Sequence, residues 1–140
     1  MKILNVGSGP VPDVKIPGID ITYCDCKDFG PPVEVQDMEE LDYPDRSFDI
    51  VICINALDHT KNALRAIAEF ARVAEDYIYI KCWLDQKQTG YKHYWDAKED
   101  GTFTNGTETF NLKDWGFKIK YTDTGGERRY NYIEATRCFQ

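Results

Sequence analysis

Two glycines and three titratable side chains stand out as residues that could serve a ligand. Gly7 and Gly9 directly follow an apolar run, and glycine lets a backbone turn sharply and lie close to a bound molecule. Asp20 and Asp37 offer carboxylates, which accept strong hydrogen bonds from hydroxyl or amino groups. His59 belongs to the residue type that titrates near neutral pH and is suited to moving a proton. This set predicts a small-molecule site assembled from several chain segments.

The cysteines and histidines do not form a metal-binding pattern. The chain has five cysteines, at positions 24, 26, 53, 82 and 138, and two histidines. A closed zinc site needs four such ligands in paired spacing, and Cys24-Asp25-Cys26 has no second close pair. An odd number of cysteines in apolar, strand-like surroundings favours reduced, partly buried thiols. We therefore expect no metal site.

A nicotinamide dinucleotide is the competing ligand for a glycine-rich turn after a strand. Its usual motif has a third glycine where this chain has Pro12, and an acid about twenty residues further on. Asp20 follows Gly7 by only 13 residues. The sequence argues against this alternative.

Alternating strand and helix signals indicate an α/β chain. Apolar runs bounded by turn residues predict strands, and apolar residues stepping by four, three and four predict one helix with Thr60 as its cap. Asn105-Gly106 predicts the turn of a hairpin, with positive φ. The predicted strands are 3–6, 18–21, 33–35, 48–54, 77–83, 117–122 and 130–138, with a helix over 61–74 and a hairpin over 102–110.

These elements predict one Rossmann-like domain covering residues 1–140. The expected sheet is mostly parallel, in the order 3-2-1-4-5-7-6, with strand seven antiparallel because a hairpin joins it to strand six. Only eight residues separate Gly9 from Gly18, whereas a helical crossover needs a dozen or more. The first helix is therefore expected to be reduced or absent. In such a sheet a ligand lies beyond the carboxyl ends of the strands.

Four segments, in this order and spacing, resemble the class I S-adenosylmethionine-dependent methyltransferases, most closely the small branch with a shortened first crossover. They are Leu4–Pro10, Gly18–Ile21, Val35–Leu41 and Tyr43–His59, and the resemblance covers about residues 3 to 83.

The resemblance implies S-adenosylmethionine as the cofactor and suggests its contacts. Gly7 and Gly9 would lie at its methionine end. Asp20 would accept hydrogen bonds from both ribose hydroxyls. Asp37 would take the adenine amino group, with the amide of Met38 facing the ring.

The implied reaction is a direct displacement for which the cofactor supplies the reactive group. The protein then has to align the acceptor and exclude water, and a general base is needed only where the acceptor loses a proton. His59, after the fourth strand, is the candidate base, and Asn55 shares that rim as a cofactor contact. The aromatic cluster of Tyr91, His93, Tyr94 and Trp95 after strand five is a candidate roof for the acceptor pocket, but such clusters more often serve packing, and packing is the preferred interpretation. The prediction is a methyltransferase with an unidentified small-molecule acceptor.

Some residues depart from the family pattern. Asn5 stands where the family has an acid before the glycines, and Val11 stands where it has a third glycine. Pro10 and Pro12 cannot donate backbone hydrogen bonds to a carboxylate. These departures favour an alternative, a degenerate relative that serves as a cofactor-binding or protein-interaction module without catalysis.

The net charge and the length of the apolar runs indicate which partners and which location to expect for the protein. The net charge of −7 would repel a phosphate backbone, so nucleic acid is not an expected partner. No apolar run approaches membrane-spanning length, and we expect a cytoplasmic protein without membrane contact. A homodimer, with the second subunit closing the site, is an open alternative.

Overall fold

The computed structural model describes residues 1–12, 14–83, 95–125 and 130–138. Within them lie ten strands, one α-helix and two short 3-10 turns, Leu57–His59 and Leu112–Trp115. None of their helices is long and apolar enough to span a bilayer. The strands are β1 (Lys2–Val6), β2 (Asp20–Asp25), β3 (Val33–Val35), β4 (Phe48–Ile54), β5 (Ala74–Trp83), β6 (Asp96–Ala97), β7 (Thr102–Thr104), β8 (Thr109–Asn111), β9 (Phe117–Asp123) and β10 (Tyr130–Arg137), and the helix is α1 (Ala63–Val73).

Seven strands form the main sheet in the order β3-β2-β1-β4-β5-β10-β9. The first five are parallel, whereas β10 is antiparallel to both of its neighbours, β5 and β9. The prediction of a mostly parallel, Rossmann-like sheet is confirmed. The predicted strand order is confirmed only in part, because three further strands precede the last two along the chain. The strands predicted as six and seven are therefore β9 and β10.

The core lies on the face of the main sheet that packs against α1. Val51, Ile78 and Ile80 point into it from β4 and β5, and Ile67 and Phe70 meet them from the helix, all of them buried. Burial of each such side chain contributes about 1.5–3 kcal/mol. This packing explains why β4 and β5 are rich in apolar residues.

The helix begins later than the sequence predicts. Its N-cap is Asn62, whose side chain accepts hydrogen bonds from the amides of Leu64 and Arg65. The prediction of Thr60 as the cap is wrong, since Thr60 is extended and closes the preceding 3-10 turn. The helix ends at Val73, where Ala74 turns to extended geometry and starts β5 without a connecting loop.

Strands β6, β7 and β8 form a separate antiparallel sheet. The hairpin predicted over 102–110 is confirmed, with Thr102 opposite Asn111 and Thr104 opposite Thr109. Its loop has four residues, so the two-residue turn usually associated with Asn105-Gly106 is not formed. Instead, the Asn105 side chain accepts hydrogen bonds from the amides of Thr107 and Glu108.

The connection from β1 to β2 contains no helix among its described residues, which exclude Asp13. The phenol of Tyr23 in β2 donates a hydrogen bond of 2.6 Å to the carbonyl of Val14 and holds this loop against the strand. The expectation of a reduced or absent first helix agrees with the described part of the loop.

Candidate active site at the carboxyl ends of the strands

Loops at the carboxyl ends of β1 to β4 surround an open cleft of about 860 Å³. Gly7 and Gly9 follow β1, Asp25 ends β2, Asp37 follows β3 and Asn55 follows β4, and all five residues line the cleft. Parallel strands end at one edge of a sheet, and the strand order reverses at β1. The cleft therefore lies where an open α/β sheet binds its ligand, and its volume suits a small molecule.

Gly7 and Gly9 turn the chain away from β1 with φ values of +67° and +71°. A Cβ on Gly7 would lie 2.3 Å from the Cβ of Ala56, whereas a Cβ on Gly9 would meet no atom within 4 Å. Gly7 is thus pressed against the loop after β4, and Gly9 faces open space. A ligand can approach the backbone at Gly9.

Asp20 does not reach the cleft. It is the first residue of β2 and pairs with Lys2 at the start of β1, so it lies at the opposite edge of the sheet. The second strand was predicted over 18–21, which would place Asp20 near its carboxyl end, and this prediction is wrong. The strand continues beyond Ile21 because it pairs with the whole of β1, as far as Val6 opposite Cys24.

Asp25 occupies the strand-end position that was expected for Asp20. Its Oδ2 accepts a hydrogen bond of 3.0 Å from the amide of Gly9, and its Oδ1 accepts one of 3.2 Å from the amide of Lys27. The carboxylate is therefore held between the loops after β1 and β2. The signal for it in the sequence was an acid directly after the strand-forming run 21–24.

The loop after β3 forms one wall of the cleft. Asp37 is exposed, and its Oδ1 accepts a hydrogen bond of 2.9 Å from the amide of Glu39. Met38 is half-buried, and its Cε would lie 3.5 Å from a Cβ on Gly7. Glu39 accepts a hydrogen bond from the amide of Asn62 and so ties this loop to the start of α1.

Asn55 has the left-handed backbone conformation that non-glycine residues rarely adopt, with φ of +53°. Its amide donates a hydrogen bond of 2.8 Å to the carbonyl of Lys81 in β5. The turn at Asn55 takes the chain out of β4 at the cleft, which Asn55, Ala56 and His59 line. Backbone strain of this kind is concentrated at functional sites.

His59 lies on the cleft rim, at the end of the 3-10 turn that follows β4. Its side chain is exposed, and its Nε2 lies 3.9 Å from Oδ2 of the buried Asp58. Burial raises the pKa of Asp58, and the neighbouring His59 opposes this in part. The rim therefore has an imidazole in solvent and a carboxyl group beneath it.

Of the predicted aromatic cluster, only Trp95 lies among the described residues. Trp95 is buried and stacks on Phe103 with ring centroids 6.5 Å apart, which agrees with its interpretation as packing. Tyr91, His93 and Tyr94 lie outside the described residues.

No group of three His, Cys, Asp or Glu side chains in the described ranges is arranged to hold a metal ion. Burial raises the pKa of both Cys24 and Cys53 to about 12, so that these thiols stay protonated at neutral pH. They behave as small apolar side chains of the core.

Two comparisons bear on the family. The family model described as a methyltransferase domain matches residues 18–77, which include β2 to β4 and α1. A comparison with curated proteins found no match.

Several solved structures with the same fold are methyltransferases. A SAM-dependent methyltransferase from Methanosarcina mazei is 17% identical, with a TM-score of 0.65 over 99% of this chain and 93% of its own. Magnesium protoporphyrin IX methyltransferase from Synechocystis, solved with bound SAM, is 18% identical, with a TM-score of 0.62 over 97% of this chain and 69% of its own. The cyclase SpnF is 16% identical, with a TM-score of 0.68 over 99% of this chain and 75% of its own. At these identities the similarity establishes the fold.

Proposed function

Because the chain resembles the class I SAM-dependent methyltransferases in sequence and in fold, we propose that it binds S-adenosylmethionine in the cleft and transfers the methyl group to a small molecule. The observation that carries the proposal is the contact between Asp25 and Gly9, which joins an acidic strand end to a glycine turn open to the cleft. The cleft volume of about 860 Å³ suits a nucleoside-sized cofactor.

The adenosine part of the cofactor would be held by two acidic loops. Asp25, and not Asp20, accepts hydrogen bonds from the ribose hydroxyls. Asp25 lines the cleft, and each of its carboxylate oxygens can accept more than one hydrogen bond, so the bond from Gly9 leaves capacity for the ribose. Asp37 accepts a hydrogen bond from the adenine amino group, and the Met38 amide faces the ring. Gly7 and Gly9 leave room for the methionine part, and Asn55, which also lines the cleft, is a further contact of the cofactor.

When bound, the cofactor supplies an electrophilic methyl group on sulfur. The chain has to orient the acceptor and keep water out, and the loops after β1 and β4 line the cleft in which this would take place. His59 stands on the rim and takes a proton from any acceptor that must lose one.

The acceptor is proposed to be a small molecule and not a nucleic acid, because the net charge of −7 opposes a phosphate backbone. A cytoplasmic location and a homodimer are further predictions. Sedimentation at micromolar concentration tests the dimer.

Titration calorimetry with S-adenosylmethionine tests the cofactor proposal. We expect Asp25→Ala to weaken binding by about 1.5–3 kcal/mol, the usual contribution of hydrogen bonds to a charged group. Asp20→Ala is the matched control, since it removes the same group at the other edge of the sheet and should leave the affinity unchanged.

Three outcomes would count against the proposal. Loss of binding in Asp20→Ala but not in Asp25→Ala would return the ribose contact to Asp20. Equal binding by both variants and the wild type would remove the ribose role from either acid. Absence of binding by the wild-type protein would favour the alternative of a degenerate relative that acts as an interaction module.

A further inference from the structure

Helix α1 begins without an acceptor of its own for the amide of its N-cap residue. Asn62 is the N-cap, and its side chain accepts hydrogen bonds of 3.1 and 3.3 Å from the amides of Leu64 and Arg65. In the reciprocal arrangement called a capping box, the third helical residue is a glutamate or glutamine whose side chain accepts from the N-cap amide. The third residue of α1 is Arg65, whose side chain has only donors. An acceptor for the Asn62 amide therefore has to come from another part of the chain.

Glu39 supplies this acceptor from the loop after β3, 23 residues earlier in the chain. Its carboxylate accepts a hydrogen bond from the amide of Asn62. The first turn of α1 contains no acidic residue, so Glu39 also brings the negative charge that stabilises the start of a helix. Glu39 thus completes the capping arrangement from a distance, and the start of α1 in turn fixes the position of Glu39.

Glu39 also lies between two walls of the cleft. Its own amide donates a hydrogen bond of 2.9 Å to Oδ1 of Asp37, the residue proposed to hold adenine. Its carboxylate contacts Asn62, which directly follows the rim segment 59–61. Glu39 and all three residues of that rim segment line the cleft. One residue therefore connects the adenine wall to the rim that carries His59.

A separate pair of side chains holds the next part of the loop. Glu69 accepts a hydrogen bond of 2.8 Å from the amide of Leu41, and Arg72 donates one of 2.9 Å to the carbonyl of Leu41. Glu69 and Arg72 also form an ion pair of 2.8 Å with each other. The loop is thus anchored at Leu41 without Glu39. Loss of the Glu39 carboxylate should release residues 37–40 and leave the rest of the fold in place.

We propose that Glu39 is a positioning residue, which holds the adenine wall of the cleft against the His59 rim through its hydrogen bond to Asn62. The inference rests on the proposed function for the identity of the ligand, whereas the connection between the two walls is defined by the hydrogen bonds of Glu39. When residues 37–40 are released, only the fraction of molecules with Asp37 in place can bind the cofactor. The apparent affinity then falls in proportion to that fraction.

Three variants isolate the hydrogen bond. Glu39→Ala removes the acceptor. Glu39→Gln keeps an acceptor oxygen of the same reach and should restore the behaviour of the wild type, since glutamine also serves in capping boxes. Glu40→Ala is the matched control, because Glu40 is the exposed neighbour and its amide, which donates a hydrogen bond of 3.0 Å to the carbonyl of Asp37, is kept.

Nuclear magnetic resonance of the ligand-free protein measures the connection itself. We expect Glu39→Ala to speed amide hydrogen exchange at Asn62 by about tenfold, because that amide loses its partner. The imidazole resonances of His59 should shift in the same variant, since the rim is no longer tied to the loop after β3. Glu39→Gln and Glu40→Ala should leave both signals as in the wild type. The chain has two histidines, and His59→Gln assigns the imidazole signals.

Titration calorimetry with S-adenosylhomocysteine measures the effect on the site. We expect Glu39→Ala to weaken binding about threefold to tenfold, which corresponds to residues 37–40 being in place for about a third to a tenth of the time. Glu39→Gln and Glu40→Ala should bind as the wild type does. Urea unfolding of each variant separates loss of position from loss of fold. Should Glu39→Ala fail to fold, Glu39→Asp replaces it, since this change keeps the charge but shortens the side chain by one methylene.

The inference is overturned if Glu39→Ala leaves the Asn62 exchange rate and the His59 resonances unchanged, or if Glu39→Gln alters them as strongly. It is also overturned if the wild type and Glu39→Ala bind S-adenosylhomocysteine equally well. All of these outcomes leave the proposed function intact. Absence of binding by the wild-type protein would overturn the proposed function, and the ligand-free signals would still decide whether Glu39 joins the two walls.

Discussion

Gly7 turns the chain at the end of β1 with a φ of +67°, and a Cβ placed on it would lie 2.3 Å from the Cβ of Ala56. Gly9 has nearly the same φ but faces open space. Both positions therefore have the same backbone conformation, and only Gly7 is crowded by a neighbouring side chain. Comparing substitutions at the two glycines distinguishes how each factor affects stability.

Replacement of each glycine by alanine measures this difference. Gly7→Ala should lower the free energy of unfolding by about 2–5 kcal/mol, because left-handed strain and overpacking both apply. Gly9→Ala should lower it by about 1–2 kcal/mol, through the strain alone. Urea unfolding of the two variants checks the prediction, and equal losses would show that Ala56 moves aside without cost.

At the scale of elements, the loop from β1 to β2 decides how the methionine end of a cofactor can be held. The amides of Gly7 and Ser8 both donate to the carbonyl of Cys24, and the amide of Gly9 donates to Asp25. Pro10 and Pro12 have no amide hydrogen. A helix start in this position would instead offer several free amides and a favourable dipole to a carboxylate.

We therefore expect the amino-acid part of S-adenosylhomocysteine to add little affinity. Adenosine and S-adenosylhomocysteine should bind within about tenfold of each other, which corresponds to about 1.4 kcal/mol. Titration of the same protein sample with both ligands gives the comparison. A hundredfold advantage for S-adenosylhomocysteine would mean that other groups capture its carboxylate.

At the scale of the whole molecule, Arg137 joins the last strand to the rest of the fold. Its guanidinium donates to the carbonyls of Ala71, Ala74, Glu75 and Trp115 at 2.7–3.0 Å. It connects β10 to the end of α1, to β5 and to the second 3-10 turn. Planar geometry and five N–H groups allow arginine to serve four carbonyls at once.

Loss of this side chain should therefore affect global stability. Arg137→Ala should lower the free energy of unfolding by about 2–4 kcal/mol, because charge-assisted hydrogen bonds are lost and carbonyls are left unpaired. Lys120→Ala is the control on the adjacent strand. Its exposed ammonium forms an ion pair of 3.4 Å with Glu134, and such pairs contribute little, so stability should hardly change. Similar denaturation midpoints for Arg137→Ala and the wild type would contradict the prediction.

The sequence by itself determined the features that depend on local pattern. The bounds predicted for β3 and β4 from apolar runs between turn residues equal the observed bounds. Those predicted for β1, β5, β9 and β10 differ from the observed bounds by a few residues at most. The short, proline-rich spacing after Gly9 predicted a first connection without a full helix. Gly7, Gly9, Asp37, Met38 and Asn55 all line the cleft, since each follows a strand whose end the sequence marked clearly.

The tertiary structure alone decided features that depend on pairing and burial. Whether Asp20 or Asp25 reaches the cleft depends on the register of β2 against β1, because the two acids are the first and last residues of a six-residue strand and lie at opposite edges of the sheet. Asn62 and not Thr60 caps the helix, because Thr60 has extended geometry at the end of the preceding 3-10 turn. The hydrogen bond from the amide of Asn62 to Glu39 joins the start of the helix to the loop after β3, and only long-range packing brings such distant segments together.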